Sequence, residues 1–139
     1  MDDEHAGYWL LESDEELGEY FEEWDRIFID VPIGLTEDEY VRQCDDELRD
    51  VLGSDYQASV FNPPIRPALY APTYAEASMT SYEITGKKIS TQAWNITPKI
   101  AEIDRLLRET SPAVEVVESH PECCFAALND WYPVAQPKA

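Results

Sequence analysis

Residues 26–34 read Arg-Ile-Phe-Ile-Asp-Val-Pro-Ile-Gly, and the fold assignment turns on them. The near-continuous apolar run from Arg26 to Val31 is too short for a helix. It suits a strand buried on both faces, as in a parallel sheet. Asp30, Pro32 and Gly34 then mark a strand terminus turning into a loop. A second β-branched run, Val114-Glu115-Val116-Val117, closes around Glu118–His120. Helical patterns, not a hairpin turn, separate the two runs. The segments 26–31 and 113–119 are therefore expected to be parallel neighbours in an α/β fold.

Working outward, residues 8–12 read as a short strand. Ser13 and Glu16 form a capping box for a helix over 14–24, lined by Leu17, Tyr20, Phe21 and Trp24. Thr36 and Glu39 form a second box, for a helix whose face carries Tyr40, Val41, Cys44, Leu48, Val51 and Leu52 up to Gly53. Residues 54–72, with four prolines around Arg66, read as loop. A helix follows over 73–85, ending at Gly86. A longer one covers 90–109, in which Pro98 marks either a kink or a fresh start capped by Thr97. Pro121 opens a last short helix containing Phe125, Ala126 and Leu128, and the tail from Trp131 has no regular pattern.

The chain has 139 residues, 44% of them hydrophobic and 12% aromatic, enough for one domain with a core. No apolar run approaches the ~20 residues of a membrane span, and the acidic N-terminus is unlike a signal peptide. Three cysteines without a C-x-x-C pair fit a reducing cytoplasm and argue against a disulfide framework or zinc ribbon. Against 29 acidic residues stand only 10 basic ones, a net charge of −19. A field of that sign repels nucleic acid at ordinary salt. A salt-rich cytoplasm would mute it, since the Debye length falls to ~3 Å at about 1 M. The charge is lopsided: residues 1–55 carry −17 and residues 56–139 carry −2. An anion-facing surface is expected from the second stretch, and a solvated acidic face from the first.

Ligands of parallel sheets gather at the carboxyl ends of the strands. There the sequence offers Asp30, then Glu118 and Glu122 flanking His120. Carboxylates gathered so closely repel one another unless a cation neutralises them, and hard oxygen ligands suit Mg²⁺ or Mn²⁺. Two such ions about 4 Å apart are the usual apparatus for in-line attack on a phosphodiester. The plainer account has Asp30 capping the turn before Pro32 and Glu122 favoured by a helix dipole. Arg42 and Lys99 read as solvated surface cations. The three cysteines read as packing residues. No Gly-rich phosphate loop, G-x-S-x-G elbow or H-E-x-x-H helix is present.

Several strings nevertheless occur in a familiar order. F-I-D-V-P-I-G-L at 28–35 is similar to the signature of the family called domain of unknown function 429, predicted nucleases of ribonuclease-H-like fold. R-Q-C-D at 42–45 resembles its R-x-C-D helix. Ser59-Val60-Phe61 with Pro63, Pro64 and Arg66 is similar to its proline-rich loop. Ser90, Gln92, Ala93, Pro98-Lys99-Ile100, Glu102 and Asp104 resemble its long helix. Glu118, His120-Pro121-Glu122, Phe125 and Leu128-Asn129 resemble its E-x-H-P-E motif.

The resemblance spans about residues 26–130. It implies a ribonuclease-H-like α/β domain and metal-dependent phosphodiester hydrolysis. Asp30, Glu118, His120 and Glu122 would be catalytic, with Asp30, Glu118 and Glu122 holding Mg²⁺ or Mn²⁺. Arg42, Arg66 and Lys99 would face phosphate, so nucleic acid is the implied partner. The family pattern also opens with a G-V-D strand and continues past the H-P-E helix. Neither feature has a counterpart here, so residues 1–139 are expected to form a single partial domain of doubtful catalytic competence. Its sheet would be completed by a second copy or a missing segment. A non-catalytic binding protein and a gene fragment of a longer enzyme are the competing expectations.

Overall fold

In the computed structural model, residues 12–132 are described. The expected strand at 8–12 therefore lies, but for Glu12, outside the described residues, as does the chain from 133 onward. The elements are α1 (Asp14–Glu19), a 3₁₀ turn (Tyr20–Glu22), β1 (Arg26–Ile29), α2 (Gln43–Leu52), a second 3₁₀ turn (Gln57–Ser59), α3 (Arg66–Leu69), α4 (Tyr74–Thr85), α5 (Thr91–Thr110), β2 (Glu115–Glu118) and α6 (Pro121–Leu128). The two strands pair in parallel, with Arg26, Ile27, Phe28 and Ile29 opposite Glu115, Val116, Val117 and Glu118. This is the α/β arrangement and the strand pairing read from the sequence. Among the described residues the sheet has these two strands.

Helix boundaries follow from local chemistry. Ser13 caps α1 by accepting the Glu16 N–H, while the Glu16 carboxylate reaches back to the Glu12 N–H. Thr73 caps α4 by accepting the Glu76 N–H, its hydroxyl donating to the Glu76 carboxylate, and Gly86 ends the helix at φ +76°, a left-handed conformation that suits glycine. Ser90 caps α5, which runs through Pro98 without a fresh start. Proline there cannot donate a backbone N–H. The neighbouring Thr97 hydroxyl donates to the Ala93 carbonyl, tying that side of the turn.

Three expectations need correction. The second helix begins at Gln43, not after Thr36, because the Thr36 hydroxyl donates to the Glu39 carbonyl and closes a local turn instead of capping a helix. The helix also faces inward differently from the apolar pattern: Asp45, held by Arg42, is buried, whereas Cys44 and Val51 are exposed. The 54–72 stretch is not wholly irregular, since it holds a 3₁₀ turn and α3. Finally, β1 is not buried on both faces. Ile27 and Ile29 are half-buried, and Phe28 is 64% exposed.

The core lies instead among the helices. Ile65, Ala68, Ala77 and Ile89 pack together with Ala71 and Trp94. Leu35, Leu69 and Ile100 form an adjoining cluster with Val31, Ile96 and Ala101. Val31 and Leu35 come from the segment leaving β1, so the strand end is anchored to the helical core. Ile100 is fully buried, and its truncation should cost about 2–5 kcal/mol through lost burial and the cavity left. Leu128, 86% exposed, should tolerate the same change almost without cost. Urea denaturation of Ile100→Ala and Leu128→Ala checks both values.

Candidate functional site at the strand ends

The parallel pairing places the end of β1 and the end of β2 on the same rim. The ladder continues one step beyond the strands, where the Ser119 N–H donates to the Ile29 carbonyl at 2.7 Å. Asp30 therefore leaves β1 beside Glu118, Ser119 and His120. His120 is the residue before α6, and Pro121 and Glu122 begin that helix. Fixed φ and a missing N–H suit proline to that first turn. The sequence thus brings Asp30, Glu118, His120 and Glu122 to one rim by strand register and a helix start.

The electrostatics show their proximity. The Asp30 carboxyl is pushed above its ordinary value of 3.8, first by partial burial. His120 opposes that shift, while Glu122 and Glu118 add to it as like charges. His120 Nδ1 lies 3.0 Å from Glu122 Oε2. The approach is not along a hydrogen-bond direction, so Nδ1 is buried beside the carboxylate without a hydrogen-bond partner. The rim therefore holds an imidazole among three carboxylates.

Glu118 is already committed. Arg42 Nη1 donates to its Oε2 at 2.7 Å, and Arg42 Nη2 to its Oε1 at 2.8 Å. The Ile33 N–H, in the loop after β1, also donates to Oε2, at 2.9 Å. On the other side Arg42 Nε and Nη2 grip both oxygens of Asp45 at 2.8 and 2.7 Å. Nη1 additionally donates to the Ile33 carbonyl at 2.7 Å. Every guanidinium N–H is used, in a side chain only 6% exposed. The guanidinium proton is held more tightly than usual: burial works against the charge, and bonds to Glu118 and Asp45 more than offset it.

Of the cations expected to face phosphate, Arg42 is thus the centre of a buried ion-pair network. Arg66 donates to Asp104 at 3.1 Å and to Glu37 at 2.8 Å. Tyr70 completes that second cluster by donating to the other Asp104 oxygen at 2.6 Å. Burial would raise the Asp104 pKa, yet the Tyr70 hydroxyl, Arg66 and Arg108 lower it overall. Lys99 is exposed and pairs with Glu102 one turn along α5. The sequence reading missed Asp45 and Tyr70. The R-x-x-D spacing of Arg42 and Asp45 was the available signal, because an arginine at a helix start can reach an acid in its first turn.

Among the described residues, no three His, Cys, Asp or Glu side chains are grouped so that they could hold a metal ion. No helix among them is long and apolar enough to cross a membrane.

Removing Arg42 leaves two carboxylates facing each other in a partly buried setting. Arg42→Met should cost about 3–5 kcal/mol. Arg42→Lys should recover only a minor part, since an ammonium cannot grip both carboxylates in paired fashion. Chemical denaturation of both variants measures the difference. Asp30 gives a pH signature of opposite sense. A carboxyl whose folded-state pKa is raised disfavours the fold once ionised, and the penalty fades as pH falls through that pKa. Asp30→Asn should therefore melt higher than the parent at pH 7 in dilute solution. The difference should close as pH drops to the ordinary aspartate value of 3.8.

Comparison with curated proteins and with solved structures gives no match to this chain. One family model does match, over residues 4–139, and it covers every element described above. The resemblance carried by the strand-end and helix motifs is thereby borne out at the level of the family: the chain belongs to the family described as protein of unknown function DUF429.

Proposed function

We propose that Asp30, Glu118, His120 and Glu122 are the strand-end portion of a phosphodiester-hydrolysing site of ribonuclease-H-like kind, and that this chain alone binds without cutting. The observation that carries the reading is the meeting of these groups at the carboxyl ends of two parallel strands, where α/β sheets place their ligands. Nucleic acid is the partner this reading assigns. A cytoplasmic setting belongs to the same proposal, supported by three free cysteines.

Mg²⁺ or Mn²⁺ would supply charge neutralisation and water activation in such a site. The described residues of the rim do not by themselves fit two ions. Glu118 has both oxygens engaged by Arg42, which leaves Asp30 and Glu122 as the rim carboxylates not held by an arginine. What the chain supplies is a place where a phosphate-bearing ligand meets an imidazole. His120 Nδ1 lies 3.0 Å from Glu122 Oε2, which sets the ring at the rim beside the acids. Glu118 and Arg42 keep the rim in shape. The net charge of −19 opposes the approach of a polyanion at low salt, so binding should be sought at high salt.

The purified chain should show no cleavage above background with single-stranded or duplex DNA or RNA, with Mg²⁺ or Mn²⁺, from low to molar salt. Metal-dependent cleavage that disappears in both Asp30→Asn and Glu118→Gln would overturn the non-cutting reading and establish the site as complete. Cleavage unchanged in both variants would come from elsewhere. Binding of a labelled oligonucleotide, lost in His120→Ala, is the positive result expected of the rim.

A further inference from the structure

We propose that β1 is a self-complementary docking edge, on which a second copy of this chain pairs antiparallel through Arg26-Ile27-Phe28-Ile29-Asp30. The inference rests on the sheet edge, and it shares Asp30 with the rim.

Three observations converge. First, the ladder to β2 uses one set of β1 backbone groups: the carbonyls of Asp25 and Ile29 accept from Glu115 and Ser119. In a parallel pair the alternate residues aim their N–H and C=O groups the other way. Arg26, Phe28 and Asp30 therefore present their backbone to the opposite edge, where no described strand pairs with them. Second, Phe28 sits at the middle of that edge with 64% of its surface exposed. A large aromatic on an open edge is a template for strand addition unless something covers it.

Third, the charges are arranged for self-pairing. An antiparallel partner centred on Phe28 places Phe28 opposite Phe28 of the second copy. The same register sets Arg26 opposite Asp30, twice, by symmetry. The residues facing each other are then those whose backbone groups point outward, so each pair can exchange both of its hydrogen bonds. Side chains at 26, 28 and 30 share one face, which brings the aromatic pair between two opposite-charge pairs. Arg26 already meets its own strand neighbour Glu115 and has N–H donors left for a second carboxylate. Asp30 is exposed and makes no salt bridge among the described residues, so its carboxylate is available to an incoming guanidinium. The contact is isologous and closes as a two-fold dimer with a four-stranded sheet, which avoids filament growth along this edge.

The test is complementation between two reversals. Light scattering and sedimentation should find the parent chain dimeric at about 0.15 M and about 1 M salt, so that screening of the −19 charge is covered. Arg26→Asp makes acid face acid across the register, and Asp30→Arg makes arginine face arginine. Each alone should weaken the dimer at least about tenfold. Mixed one to one, they should form a heterodimer, because each reversed residue then meets its opposite charge. Circular dichroism of each single variant, expected to match the parent, confirms that folding is retained at these exposed positions. A parent chain that stays monomeric at every concentration and salt overturns the proposal, leaving the edge to the chain's own remaining segments or to a different protein. A dimer unaffected by either reversal, or single variants that fail to complement while folded, overturns it as well.

Discussion

One guanidinium holds the strand ends in place. Arg42 joins the start of α2, the loop after β1 and the last residue of β2 through five donors to Asp45, Glu118 and Ile33. A two-stranded parallel sheet has little to stabilise it alone, since parallel sheets ordinarily depend on apolar cover over both faces. Here the apolar clusters lie with α3, α4 and α5, and the sheet is joined to them by Val31 and Leu35 and by this polar clasp. Taking an arginine and two acids out of water carries a desolvation cost. The paired geometry offsets that cost only because every donor finds an acceptor.

The clasp also shapes the chemistry of the rim. It engages both oxygens of Glu118, and it leaves Asp30, His120 and Glu122 as the rim groups that the guanidinium does not hold. A second polar cluster, Arg66 with Asp104, Glu37 and Tyr70, plays the corresponding part between α3 and α5. Arginines in this acidic chain thus serve largely as internal counter-ions. That explains why so few positive groups are left to meet an anion.

The parts of the fold governed by local rules could be read in advance. The cap at Ser13, the helix starts near Thr73 and Ser90, the stop at Gly86 and the start at Pro121 depend on residues within a turn of each other, and they stand where the patterns put them. The parallel strands were legible because two β-branched runs separated by helices leave few other arrangements. What escaped depends on partners distant in sequence. Nothing near Arg42 announces Glu118, which lies 76 residues away, so its charge read as free for phosphate. Phe28 read as buried because apolar runs usually are, yet exposure depends on what covers a strand, not on the strand itself. The four rim residues were named from the sequence, whereas the commitment of Glu118 could be learned only from the tertiary contact.

The span between the paired strands has a kinetic meaning. Arg26 and Glu115 are neighbours in the sheet but 89 residues apart in the chain, and four helices lie between them. Each of those helices can form from local contacts, whereas the sheet must close a long loop before any of its hydrogen bonds contributes. Strand pairing should accordingly come late in folding, after the helical clusters have brought the two ends near each other. By the same reasoning, among the described elements the sheet should open before the helical clusters do. Its amide hydrogens should exchange with solvent sooner than those in the middle of α5, and the Arg42 clasp sets how often that opening occurs.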